Sequence, residues 1–247
     1  MKQIPFWQDT APSFADSDQR PLEGRADVVV IGAGFTGLSA ARTLAKRGIA
    51  VSVLEAGRII SEGSGRNGGH CNNGLSHDFS GVANRFGLER AREMYHAFDA
   101  GVDLVETITR EEGIDCDFVR SGKLKLAAKP AHFDAMQRAQ EILAREVDPD
   151  TAIIDKTGLS AEIGSDRYHG GLLYKRSASM HMGKFGAGLA NAARRAGAVI
   201  HEHTAVEAID KLSGGRFRIT TDKGTIEADN VILATGASRH GPFSWIR

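Results

Sequence analysis

Gly32, Gly34 and Gly37 stand in the spacing G-x-G-x-x-G, and a carboxylate, Glu55, follows eighteen residues after the last of them. These types at this spacing suit a dinucleotide. Glycine at the first position permits a tight turn, and at the second it removes the Cβ that would hold a pyrophosphate off the main chain. At the third it lets a helix pack close to the preceding strand. The amides of Phe35, Thr36 and Gly37 would then open a helix whose positive dipole end faces the phosphates. Glu55, with Ala56 beside it, can accept hydrogen bonds from a ribose diol and repels a 2′-phosphate, which disfavours NADP. A second candidate is the run EGSGRNGGHCNNG, residues 62–74. It is too rich in glycine for a helix and too polar for a core strand. Such a run serves a tight turn or a close approach of backbone to a ligand, and a mobile surface loop would read the same way.

The elements needed to position these residues are legible around them. Val28–Ile31 is a short β-branched run, as expected of a strand buried on both faces. Leu38, Ala41 and Leu44 follow at helical spacing, and Gly48 ends that helix. Ala50–Leu54 reads as a second strand with Glu55 at its tip. A lone glycine motif is weak; between strand and helix, with the acid at this distance, it has the context that confirms a dinucleotide fold. Further on, Phe185–Ala196 reads as a helix, Ala198–Ile200 as a strand, and residues 216–236 as a hairpin around Asp222-Lys223-Gly224. A buried strand, Val231–Ala234, follows it, with Thr235 and Gly236 beyond.

The middle of the chain departs from a plain βαβ series. Leu88–Glu112 carries apolar residues at helical spacing, including Met94, Tyr95 and Phe98, which are expected in a core. Phe118 and the run GKLKLAA read as strands joined by Ser121-Gly122; Ala131–Val147 reads as another helix, and GGLLYKR as another strand. The organisation expected is therefore an irregular arm over 1–25, a dinucleotide-binding domain in two pieces, 26–85 and 178–247, and part of a substrate-facing domain over 86–177.

Bulk properties exclude other classes. Lys+Arg and Asp+Glu both total 31, so no net field draws the chain to nucleic acid or anionic lipid. The longest mostly apolar run, Val28–Ala41, holds three glycines and falls short of the roughly 20 residues needed to span a bilayer. The N-terminus lacks a basic region followed by an apolar one, so a cytoplasmic protein with two reduced thiols is expected. His201 and His203 alternate without acidic or thiol partners at metal spacing, so no metal site is expected.

Taken together, Val28–Gly57, SGRNGGHCNNGLS and TIEADNVILATGA resemble the D-amino-acid-oxidase-like flavoenzymes, and the R-N-G-G run resembles their gamma-glutamylputrescine-oxidase branch. The resemblance implies an α/β fold, a Rossmann-like FAD-binding domain interleaved with an α+β substrate domain. It implies FAD as the cofactor, with Ser64, Gly65, Arg66, Asn67, Gly68 and Gly69 running along its pyrophosphate, ribityl chain and ring. Arg66 would offset phosphate charge and Asn67 would hydrogen-bond the flavin. Val206 would lie by the adenine, and Thr235 and Gly236 where the chain returns to the cofactor. The loop lacks the local pattern that accompanies covalent flavin attachment at a histidine, so His70 is not assigned that role. His181 stands where related sequences often read His-Pro, with Met182 in place of the proline.

The implied activity is oxidation of a C–N bond in an amine or amino acid, with oxygen or another acceptor taking the electrons. No catalytic residue is identifiable. A fragment or scaffold without catalysis stays open as a third reading, because the resembling flavoenzymes continue well past the A-T-G segment. The chain is accordingly expected to be truncated at its C-terminus, with a second chain as one source of the missing half.

Overall fold

A computed structural model describes residues 2–236. In chain order the elements are α1 (Phe6–Thr10), β1 (Arg25–Ile31), α2 (Phe35–Ala45), β2 (Val51–Leu54), β3 (His70–Cys71), α3 (Phe79–Phe86) and α4 (Leu88–Glu111). There follow β4 (Lys123–Leu126), α5 (Pro130–Glu146), β5 (Thr151–Asp155), β6 (Gly170–Tyr174), β7 (Ala178–Ser179) and α6 (Met182–Arg195). The last are β8 (Val199–His201), β9 (Val206–Lys211), β10 (Phe217–Thr221) and β11 (Gly224–Leu233). The chain divides into two compact units, one of residues up to 68 with 112–116 and from 181 onward, the other of 69–111 and 117–180. Residues 69–85 thus pack with the second unit.

The first unit is built on a sheet in the order β8-β2-β1-β11-β10-β9. Its first four strands are parallel, and β10 runs antiparallel to both neighbours. Valines of β1 alternate between two layers, as the period of a strand requires. Val30 meets α2 at Gly37. Val29 and Ile31 join Leu22, Leu54, Ile219 and Ile226 in a buried cluster with Val206, Ile209 and Phe217 of the β9–β10 hairpin alongside. Glu112 fastens the helical layer. It bonds Arg42 of α2 at 2.7 Å and Arg195 of α6 at 3.1 Å, with Lys46 at 3.4 Å. The N-terminal segment, expected to be irregular, begins with the one-turn helix α1, which packs on α6: a Cβ on Gly183 would lie 1.9 Å from the carbonyl oxygen of Trp7.

The second unit has the sheet β4-β6-β5, all antiparallel, and the small pair β3–β7. Its core gathers Phe79, Ala91, Tyr95, Met136, Leu143 and Leu172 from α3, α4, α5 and β6. Phe118 forms no strand; Asp117 before it turns through φ +54°, and Val119 makes a single bridge to Ser179. Phe98, expected inside, is 52% exposed, because it lies past the edge of the core that holds Tyr95, on the side of the open cleft. A buried polar network runs through this unit. Asn73 donates to Asp99 and Asp148, each at 3.1 Å, the Tyr95 hydroxyl donates to Asp148 at 2.8 Å, and Ser177 donates to Asn73 at 2.7 Å.

Candidate functional site

The turn from β1 to α2 leaves no room for side chains. Gly32 has φ +102°, and a Cβ there would lie 2.6 Å from the carbonyl oxygen of Ala234. On Gly37 a Cβ would lie 1.9 Å from the oxygen of Gly32, closer than any packing allows. Gly34 is the N-cap of α2 and has no side chain to cap it. The Phe35 amide instead donates to the Ser64 hydroxyl at 3.1 Å, while the other first-turn amides have no acceptor within the helix. Thr36 is exposed. The Phe35 ring is turned to the protein, packing edge-on to Phe185 at 5.5 Å.

Glu55 ties this turn to the end of β2. One carboxylate oxygen accepts the Ala33 amide at 2.7 Å and the other the Gly57 amide at 2.8 Å. Each oxygen keeps a further lone pair for a ligand hydroxyl. The β8–β9 connection closes on the same strand end: His203 donates to Gly57 at 2.8 Å and Thr204 to Glu55 at 2.7 Å. Val206, half-buried, follows two residues on at the head of β9, and Ala56 beside Glu55 is exposed. From the other side of β1, Ala234 donates to Ile31 at 2.8 Å, which sets Thr235 beside Gly32. Gly236 follows at φ +67°.

The glycine loop reaches the site through its main chain. Ile60 donates to the Ala33 carbonyl at 3.0 Å, and Gly65 packs against Ile60 so tightly that a Cβ would lie 2.1 Å from its oxygen. Arg66 is exposed and bends onto its own loop, bonding the Ser61 carbonyl at 2.8 Å and Glu62 at 3.2 Å. Asn67 donates to the carbonyls of Ser64 and Gly63 at 2.8 and 3.3 Å. Ser64 supplies the hydroxyl nearest α2, and Gly68 is exposed. Gly69 begins the second unit, where its carbonyl accepts Met180 at 3.0 Å.

Sequence reasoning gave no function to several residues around this site. His201, at the end of β8, accepts the Glu55 amide on its carbonyl at 2.9 Å. Its imidazole is buried with Nδ1 lacking a hydrogen bond, and burial pushes its pKa below the ordinary value against the pull of Asp18. His181 is a helix cap, accepting the Lys184 amide on Nδ1 at 3.1 Å, so no proline is needed after it to start α6. Within the second unit lies a cleft of about 830 Å³ lined by Asn72, Phe79, Tyr95, Phe98, Lys123 and Tyr174. The Lys123 ammonium sits 4.1 Å above the Tyr174 ring, and burial lowers its pKa. Among the described residues no group of three His, Cys, Asp or Glu is placed to hold a metal, and no helix is long and apolar enough to cross a membrane.

The family of FAD dependent oxidoreductases represented by D-amino acid oxidase matches residues 27–243. The chain belongs to that family. It is 32% identical over 232 residues to gamma-glutamylputrescine oxidoreductase of Escherichia coli, a match covering 94% of this chain and 54% of that protein. It is 33% identical over 214 residues to a probable oxidoreductase of Haemophilus influenzae, covering 86% of this chain and 49% of the other. Among solved structures it is similar to L-amino acid deaminase from Proteus myxofaciens, with a TM-score of 0.76 and 26% identity, over 93% of this chain and 50% of that one. Glycine oxidase from Geobacillus kaustophilus gives a TM-score of 0.70 and 27% identity over 86% and 56%. The chain spans about half the length of the curated relatives it matches. The family's cofactor is FAD, and the donor set suits it: a glycine cradle that any Cβ would fill, uncapped helix amides, a hydroxyl, and a carboxylate with lone pairs to spare.

Proposed function

We propose that the first unit binds FAD and that the protein oxidises a C–N bond of an amine or amino acid. One observation carries the reading: the side-chain-free turn at Gly32, Gly34 and Gly37 opens α2 at the end of parallel strands, with Glu55 fixed at the neighbouring strand end. In open α/β sheets that edge is where dinucleotides bind. On this reading the amides of Gly34, Phe35, Thr36 and Gly37, with Ser64, hold the pyrophosphate. Glu55 holds the adenosine ribose, and Val206 lies along the adenine. The main chain of Gly65–Gly69 and of Thr235–Gly236 follows the rest of the cofactor. When bound, FAD would supply the acceptor for the hydride leaving the C–H next to nitrogen, so that the C–N bond becomes an imine for water to hydrolyse, and oxygen would take the two electrons as hydrogen peroxide.

The relatives' names support the substrate class, since they include a gamma-glutamylputrescine oxidoreductase, a glycine oxidase and an L-amino acid deaminase. The second unit is the substrate-facing part, and its half-buried Lys123 offers a cation to an acidic group in the cleft. The test is direct. Purified protein is denatured, the released ligand is identified by mass spectrometry, and the intact protein is mixed anaerobically with a panel of amines and amino acids. FAD in the released fraction, bleaching of the flavin band and peroxide on admitting air are expected. NAD or no nucleotide overturns the reading, and bleaching without peroxide assigns a different electron acceptor.

A further inference from the structure

The glycine loop is held from outside by α1, an element with no part in the dinucleotide motif. Trp7 donates its indole N–H to the carbonyl of Asn67 at 2.7 Å, and Gln8 donates its amide to the carbonyl of Ser61 at 2.8 Å. The two donors therefore grip the loop at both ends of the segment carrying Ser64 and Gly65. The Gln8 nitrogen also stands 3.3 Å from where a Cβ of Gly65 would be, so the loop is packed against α1 as well as bonded to it.

The helix in turn is seated firmly on α6. The His181 ring lies 4.9 Å from the Trp7 ring, edge to face, and 5.8 Å from that of Phe6. Its Nδ1 accepts the Lys184 amide, which leaves the proton on Nε2 to point at the Thr10 hydroxyl, 2.8 Å away. The Thr10 hydroxyl in turn donates to the carbonyl of Phe6 at 2.6 Å. Each donor from Lys184 through His181 to Thr10 thus meets an acceptor. Gly183 completes the seat, because a Cβ there would collide with the Trp7 oxygen and lie 2.7 Å from the Ala11 methyl.

A loop with glycine at 63, 65, 68 and 69 is free to wander when nothing holds it, and fixing each backbone residue costs about 1–2 kcal/mol. A ligand that has to order the loop bears that cost in its affinity; a loop ordered beforehand removes it. We infer that Trp7 and Gln8 are positioning residues for FAD, acting through the backbone of Ser61–Asn67, with His181 and Gly183 as their seat. The inference rests on the FAD reading above and adds to it residues outside any nucleotide-binding motif.

The test compares two ligands on the full chain, stripped of nucleotide. Trp7→Phe keeps the ring and removes the donor; Gln8→Glu keeps the shape and removes the donor. Gly183→Ala attacks the seat from α6, against the Trp7 main chain and the Ala11 methyl, and leaves both donor side chains and the loop unaltered. For each, FAD and ADP affinities are measured by titration calorimetry, the shape of the bound-flavin absorption band is recorded, and thermal unfolding of the stripped protein is followed. For Trp7→Phe and Gln8→Glu the FAD Kd is expected to rise about fivefold to tenfold, as loss of one hydrogen bond to an ordered loop implies. ADP, gripped mainly at Gly32–Gly37 and Glu55, is expected to lose less than threefold, and the vibronic shoulders of the flavin band are expected to blur. Gly183→Ala is expected to reproduce the pattern. Unchanged FAD affinity overturns the inference, as do equal losses for both ligands, which would mark α1 as general support. Wild-type protein binding neither ligand overturns the FAD reading itself.

Discussion

Glu55 shows how one side chain serves fold and ligand together. Its two oxygens take the amides of Ala33 and Gly57, which fixes both turns at the strand ends. Glu55→Gln puts an amide donor against one of those N–H groups, so the change sets donor against donor where an acceptor stood. The expected result is a loss of about 1–3 kcal/mol in stability, from the unsatisfied buried N–H, together with at least a tenfold weaker grip on FAD. Urea unfolding of the stripped protein and a flavin titration check the two parts; loss of neither would remove Glu55 from the site. The residue was legible because its spacing from the glycines is local and regular. Asn73, Asp99 and Asp148 were not, since 26 and 75 residues separate Asn73 from the two acids and neither distance carries a motif.

At the scale of elements, the contact between the end of β1 and α2 leaves no space for a side chain. Gly37→Ala would place a methyl 1.9 Å from the Gly32 oxygen, so helix and strand have to part. Overpacking of that kind costs about 1–3 kcal/mol or more, and the turn that opens α2 is displaced with it. Chemical denaturation is expected to show the destabilisation, and nucleotide binding is expected to fall in the same variant. A fully stable Gly37→Ala protein would contradict the packing described. β1, α2, β2 and the β10–β11 hairpin were readable in the chain because apolar period and turn residues agree in each of them. The first helix was not. Phe6–Thr10 has no helical apolar stripe to announce it, and its partners lie 53 to 171 residues away, at Ser61, Asn67 and His181. Phe98 failed for the opposite reason: its spacing fits the buried stripe of α4, but the core facing that helix ends short of it.

Across the whole molecule the two units carry opposite responses to acid. Burial alone would raise the Glu112 carboxyl, but Arg42, Arg195 and Lys46 outweigh it and hold the pKa below the usual carboxylate range. Its stabilisation is therefore present above that range and is lost as pH falls through the folded value. Asp99 in the second unit is raised by burial, against the pull of Asn73 and Arg176, and its Oδ2 lacks a hydrogen bond. Its contribution is present below the unfolded value and is lost as pH rises through the folded one. Peptide-resolved hydrogen exchange between pH 4 and 7 is expected to separate them. Glu112→Gln should weaken protection of α2 and α6 more at pH 7 than at pH 4. Asp99→Asn should help the second unit more, or harm it less, at pH 7 than at pH 4. The same sign for both variants would refute the assignment.

The indole of Trp7, hydrogen-bonded to the carbonyl of Asn67, has an optical consequence. The sequence holds two tryptophans, Trp7 and Trp245, so Trp245→Phe leaves a single emitter fixed against the glycine loop. Its fluorescence becomes a gauge of nucleotide loading read without any label: energy transfer to a yellow ligand dims it, and undocking of the first helix shifts its colour instead.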